Sequence, residues 1–177
     1  DDGSEDSTPD TARRLGVDYI IRNHRNMGLA RRFQRGLEAC LHLGADIIVN
    51  TDGDNQYQGQ DISKLVHALL SKKADVVVGC RDIEKHPEFS WLKKKLQKMG
   101  SSTVQILSGL RIPDATSGFR AISKNAAIRF AFMSRFSYTI EMLIQARSAD
   151  LRVDWIPVRT NPQLRDSRLF RSAPHFI

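Results

Sequence analysis

Two carboxylates, Asp52 and Asp54, flank Gly53 in the run Thr51-Asp52-Gly53-Asp54-Asn55-Gln56. That spacing lets both present oxygens to one hard divalent cation, with Gln56 close enough to assist. The run follows an apolar stretch, and ligands of open α/β sheets gather outside the carboxyl ends of strands. Together these features describe a candidate metal-diphosphate site. By composition alone the same residues make a polar turn. A second acidic group, Asp1-Asp2-Gly3-Ser4-Glu5-Asp6-Ser7-Thr8, opens the chain. Its paired carboxylates suit ribose hydroxyls or the donor edge of a base, and Ser4 is placed to cap a following helix. At Asn26-Met27-Gly28-Leu29-Ala30, small residues and free amides at a helix start can meet an anion. Arg81 ends a third apolar run on the same rim as Asp52 and Asp54, and its planar fork suits bidentate contact with a diphosphate.

Positioning these groups requires alternating strands and helices. Residues 18–22, 45–51, 74–79 and 151–158 read as strands, the last alternating as a strand near a sheet edge would. Helical spacing runs over residues 28–43 (Ala30, Phe33, Leu37, Cys40, Leu41), 61–71 (Ile62, Leu65, Val66, Leu69, Leu70), 90–107, 124–132 and 139–147. Short strands alternating with helices predict parallel βαβ units, hence one α/β domain over residues 1–177 with a mainly parallel, Rossmann-like sheet flanked by helices. A βα fold opening on an acidic loop lacks the strand that should feed it, so an upstream strand is expected to precede Asp1.

Composition narrows the partners. The chain has 177 residues, 41% hydrophobic, which suffices for one buried core. No window approaches the ~18 uninterrupted apolar residues of a membrane span. Cys40 and Cys80 have no metal-ligand spacing and fit a reducing compartment, with a single disulfide as the alternative. A net charge of +7 favours anionic partners. Basic residues are not interleaved with stacking aromatics, which argues against nucleic acid. Between residues 89 and 107, Phe89, Trp91, Leu92, Leu96 and Met99 are mixed with Lys93, Lys94, Lys95 and Lys98. That is the make-up of a basic amphipathic helix at a membrane interface, or of a helix packed on the sheet.

The ordered motifs DDGSEDST, N-x-G-x-A, TDGDNQ, ADVVVGCR and DATSGFRAIS (residues 114–123) resemble family 2 glycosyltransferases, and within them the polyprenyl-phosphate sugar transferases of the dolichyl-phosphate mannose synthase type. The resemblance implies a GT-A fold, a UDP- or GDP-linked sugar donor, Mg²⁺ or Mn²⁺, and inversion at the anomeric carbon. It implies that Asp1, Asp2, Asn26 and Gly28 lie at the donor nucleotide, that Asp52, Asp54 and Gln56 hold the metal, and that Arg81 lies near the phosphates. It also implies that Ser117, Gly118, Phe119 and Arg120 face the acceptor, with Arg120 on the lipid phosphate, and that Arg165 and Ser167 close over the donor, although this stretch departs from the family's usual Gly and Lys. Asp114 is the candidate base if the acceptor is an alcohol. The expected setting is the cytoplasmic face of a membrane, with a polyprenyl-phosphate acceptor. The alternatives are a family 2 enzyme with a saccharide or other hydroxyl acceptor, and a basic module binding anionic lipid or nucleic acid.

Overall fold

The computed structural model describes residues 1–82, 105, 109–134 and 137–162. Helix α1 spans Thr8–Arg14 and α2 spans Leu29–His42. Strand β1 follows at Ile47–Asn50, then α3 at Asp61–Ser71 and β2 at Val76–Arg81. The remaining elements are β3 at Arg120–Ser123, α4 at Lys124–Arg129, α5 at Thr139–Ser148 and β4 at Val153–Val158.

The sheet order is β1-β3-β2-β4. Strand β2 runs parallel to β4, but β3 is antiparallel to both neighbours, pairing Asn50 with Arg120 and Val78 with Arg120. The expected α/β architecture is therefore present, with β1, β2 and β4 pointing one way, and the reversed strand that makes the sheet mixed is not among the expected elements. The reason is Arg120–Ser123, which sits inside a motif read for chemistry and is too short to announce a strand. It slots between β1 and β2. Strand β4 lies at the sheet edge, as its alternation predicts.

Side-chain alternation along β2 divides the core. Val76 and Val78 face a cluster with Ala30, Phe33 and Leu37 of α2, Ala126 of α4, and Met142 and Leu143 of α5. Val77 faces the other way, onto Leu65, Ala68 and Leu69 of α3. Successive strand residues point to opposite faces, whereas spacings of three and four gather one helix face, so a sheet between two helical layers follows from these two periods. Each fully buried Leu or Phe contributes roughly 1.5–3 kcal/mol by leaving water. Helix α2 stops where Gly44 turns left-handed at φ 83° and its amide bonds Leu41 O, a conformation glycine adopts without steric cost.

Residues 18–22 do not form a strand. They run as coil with no ladder among the described residues, leaving Tyr19 67% exposed. What holds this stretch is the acidic opening of the chain: Arg22 donates to Ser4 O, the Asn23 amide to Asp1 O and the Asp1 amine to Ile21 O. Apolar alternation marks strand-like residues, but a strand exists only where a partner backbone accepts its hydrogen bonds. Ser4 is not a helix cap either. Helix α1 begins after Ser7, and the Thr8 amide bonds Asp6 Oδ1. Cys40 and Cys80 are both free thiols. Among the described residues no helix is long and apolar enough to cross a membrane. The basic stretch at residues 89–107, apart from Gln105, and the expected closing residues Arg165 and Ser167 lie outside the described residues.

Candidate functional site

The Asp52–Gln56 loop leaves the carboxyl end of β1, as its position in the sequence predicts. Asn55 takes φ 61°, a left-handed value that asparagine tolerates, and the turn lets Asp54 Oδ1 accept the Gln56 amide at 3.0 Å. The loop is tied from outside by Asn161, whose side chain donates to Asn55 O at 2.9 Å and whose amide donates to Gln56 O at 2.8 Å. A bridge between Tyr57 and Thr160 continues that seam.

Asp52 is half-buried, and no hydrogen bond reaches its carboxylate among the described residues. Burial pushes its pKa up and the neighbouring charge of Asp54 pushes it further, while Arg81 and Arg120 pull the other way without cancelling the rise. Two crowded carboxylates, one of them half-dehydrated, are the arrangement that a cation relieves. No cluster of three or more Asp, Glu, His or Cys side chains exists among the described residues. The chain therefore offers two carboxylates, which suits a hard cation that takes its remaining oxygens from water or substrate phosphates.

Arg81 behaves differently from the expectation of a free diphosphate clamp. Its Nε donates to Asp114 Oδ2 at 2.7 Å and its Nη2 to Asp114 Oδ1 at 3.1 Å, so the fork is closed on a carboxylate that is fully buried. Nη1 donates to Gln56 Oε1 at 3.1 Å and Nη2 also reaches Thr116 Oγ1 at 3.2 Å. Burial opposes the charge of Arg81, but the facing Asp114 more than restores it, and the guanidinium pKa lies above its ordinary value. Asp114 is held in the same pair and further bonded by the Thr116 hydroxyl at 2.9 Å, so both of its carboxylate oxygens are engaged in this structure.

Arg120 corrects another expectation. It is wholly buried and donates to Ser117 O at 2.8 Å, Ala115 O at 2.8 Å and Thr139 O at 2.7 Å. Its charge is disfavoured there by dehydration, which lowers its pKa. A guanidinium spent on three carbonyls inside the protein has no face left for a lipid phosphate. Arg120 staples the 115–117 turn to the start of α5. Ser117 is buried as well, donating to Gly79 O at 2.6 Å, and Phe119 stacks on Tyr57 with ring centroids 4.9 Å apart.

At the first acidic motif the carboxylate of Asp2 is already engaged. It accepts the Met27 amide at 3.0 Å, the Gly28 amide at 3.0 Å and Asn23 Nδ2 at 2.9 Å, with Arg32 at 3.4 Å. Burial raises its pKa, but these donors outweigh burial and hold it below the usual carboxylate range. The anion expected at the start of α2 is thus internal, and Asn26 contributes by accepting the Gly28 amide at 3.0 Å. Asp1 is paired with Arg22 at 3.2 Å. Beside this pair lies a cleft of about 340 Å³ lined by Gly3, Arg22, Asn23 and His24.

Reading by motif missed Asn50, Gly118 as a neighbour of Asp52, and Asn161. A polar residue ending the apolar strand Ile47–Asn50 is the one local signal for Asn50, which donates to Gly118 O at 2.6 Å and to the Tyr138 hydroxyl at 2.7 Å.

The profile of Glycosyl transferase family 2 matches residues 1–130, well over half of the chain. The chain belongs to this family. This family 2 domain is 32% identical over 146 residues to the UDP-N-acetylglucosamine–dolichyl-phosphate N-acetylglucosaminyltransferase of Methanococcus voltae, covering 79% of this chain and 58% of that protein. It is 28% identical over 127 residues to the undecaprenyl-phosphate mannosyltransferase of Micrococcus luteus, covering 68% of this chain and 51% of the relative. In fold, the family 2 domain is similar to glucosyl-3-phosphoglycerate synthase from Mycobacterium tuberculosis, solved with Mn²⁺, uridine diphosphate and glucosyl-3-phosphoglycerate. There the TM-score is 0.73 at 17% identity, over 94% of this chain and 60% of that one. The fold is the α/β GT-A fold, with a mixed sheet flanked by helices.

Proposed function

We propose that this family 2 domain transfers a sugar, with inversion, from a nucleotide-diphosphate sugar to a polyprenyl phosphate at the cytoplasmic face of a membrane. The observation that carries the reading is the Asp52–Asp54 pair: two carboxylates at a strand's carboxyl end, one half-buried and without a hydrogen-bond donor among the described residues. The names of the two polyprenyl-type relatives support the acceptor class.

Asp52 and Asp54 would hold Mg²⁺ or Mn²⁺ with Gln56 alongside, and the cation, when bound, supplies positive charge to the diphosphate as it departs. The residues around them have assignable work. Arg81 holds Gln56 by its carbonyl oxygen, fixing that side chain beside Asp54 and adding cationic field toward Asp52. The cleft beside Asp1 and Asp2 is where a nucleoside would rest, with Asp2 shaping it by pinning Asn23 and the start of α2. A phosphate monoester arrives already ionised near neutral pH and needs no strong base. That suits a site whose expected base, Asp114, is ion-paired with Arg81. The basic stretch containing Lys93, Lys94, Lys95 and Lys98 would draw the domain to anionic lipid. Arg165 and Ser167 remain the proposed closing residues over the donor.

The test is transfer from radiolabelled UDP- and GDP-sugars to polyprenyl phosphate in vesicles by the full-length protein, with Mn²⁺ or Mg²⁺ supplied. Chelator-sensitive formation of a lipid-linked sugar is expected. Glycosylation of a soluble alcohol with polyprenyl phosphate ignored would overturn the acceptor, and nucleotide binding indifferent to chelator would overturn the metal role.

A further inference from the structure

We infer that Gly118 is a positioning residue for Asp52: its missing side chain is the space in which the Asp52 carboxylate sits. This rests on the proposal that Asp52 is a metal ligand. Glycine is required either where the backbone turns left-handed or where another group approaches too closely for a Cβ. Gly118 is not among the positive-φ glycines, so the first reason does not apply. The second does. A Cβ placed on Gly118 would lie 2.8 and 2.9 Å from the two Asp52 carboxylate oxygens, closer than real Cβ atoms come, and a tight 3.1 Å from Asp52 Cγ.

The pairing of β1 with β3 explains why the two meet. The ladder sets Val49 opposite Ala121 and Asn50 opposite Arg120, and continuing it by two residues sets Asp52 opposite Gly118. Of the two, it is Gly118 that cannot retreat easily. Gly118 is held by its own carbonyl, which takes the Asn50 side-chain amide at 2.6 Å, and Asn50 is fixed in turn by the Tyr138 hydroxyl. The next residues on the strand are anchored by Phe119 against Tyr57 and by Arg120 on three carbonyls. An added methyl group must therefore turn the Asp52 carboxylate away from its place beside Asp54. The SGFR motif, on this account, shapes the metal side of the site from beneath.

The experiment is Gly118→Ala in the full-length protein, alone and combined with Asp52→Ala. Binding of Mn²⁺ in the presence of UDP is followed by electron paramagnetic resonance and calorimetry, and thermal unfolding is followed without metal. Gly118→Ala should weaken Mn²⁺ about 10- to 100-fold, the range seen when a residue supporting a metal ligand is lost, and should lower Tm. In the Asp52→Ala background the same change should leave Tm unaltered, because the clash has gone. Unchanged Mn²⁺ binding by Gly118→Ala, or an equal fall in Tm in both backgrounds, would overturn the assignment. A parent protein that binds no Mn²⁺ beside UDP overturns the metal reading itself, and the thermal cycle then judges the Gly118–Asp52 contact by itself.

Discussion

The two acidic motifs look alike in sequence and meet opposite surroundings. Asp2 receives two backbone amides and an asparagine amide, and its pKa is held down despite burial. Asp52 receives no hydrogen bond among the described residues, and burial with Asp54 alongside pushes its pKa up. One carboxylate completes the start of α2, whose N-cap residue, Gly28, has no side chain to do so. The other remains short of positive charge. An acidic pair in a loop is therefore not informative until its donors are counted: a carboxylate already served by amides is framework, and one denied them is where an external cation gains most.

The Asp52 side of this contrast depends on neighbouring cations being committed elsewhere, so the harshest way to break it is to remove Arg120. Arg120→Ala strands the carbonyls of Ala115, Ser117 and Thr139 and leaves a void, which should cost about 3–5 kcal/mol in chemical denaturation. A loss below about 1 kcal/mol would mean that Arg120 is not the staple described. Next, Asp54→Ala should weaken Mn²⁺-dependent UDP binding by about 100-fold, or roughly 2.7 kcal/mol, with unfolding nearly unchanged because Asp54 is exposed on a loop. Calorimetry in which the variant binds like the parent would cancel the distinction between the motifs.

At the other motif the effect should be on stability. Asp2→Ala leaves the Met27 and Gly28 amides without an acceptor and should cost about 1–2 kcal/mol. The smallest effect is also the sharpest, because its sign differs between the two. Asp2 has a lowered folded pKa, so its stabilisation is complete above about pH 4 and fades as pH falls through that lowered value. Asp52 has a raised one, so the metal-free protein loses stability as pH rises from about 4 through the folded value. Asp52→Asn should therefore raise metal-free stability at neutral pH, and Asp2→Asn should lower it. Shifts of the same sign in pH-dependent unfolding would erase the comparison.

How much of this was legible in the residues depended on range. Helix α3 falls on the residues its spacing marks, β1 and β4 lie within their apolar runs, and β2 overlaps its run and extends to Arg81, because burial on a regular element imprints a local period. The Asp52 loop was legible for the same reason: it follows a strand that could be read. Residues 18–22 carried a strand-like pattern but form no ladder among the described residues, meeting the backbone of Asp1 instead, and Arg120–Ser123 carried no usable period at four residues. Arg81, Asp114 and Arg120 were read as ligand-facing because charge type is visible in a sequence while its compensation is not. That compensation comes from residues such as Thr139, Ala115 and Gln56, met only through the fold.

The placing of β3 also fixes an order of events during synthesis. Strands β1 and β2 are made early but share no ladder, since β3 occupies the slot between them. Until residues 120–123 have been made and released, β1 and β2 carry strand edges without the partner they later gain, the condition in which chains stick to one another and chaperones are engaged. The same late segment brings Gly118 opposite Asp52 and its carbonyl to Asn50. Joining β1 to β2 and setting Gly118 beside Asp52 thus come together, reached through contacts distant in the chain and slow to form, and β4 and Asn161 complete the sheet and the loop afterwards.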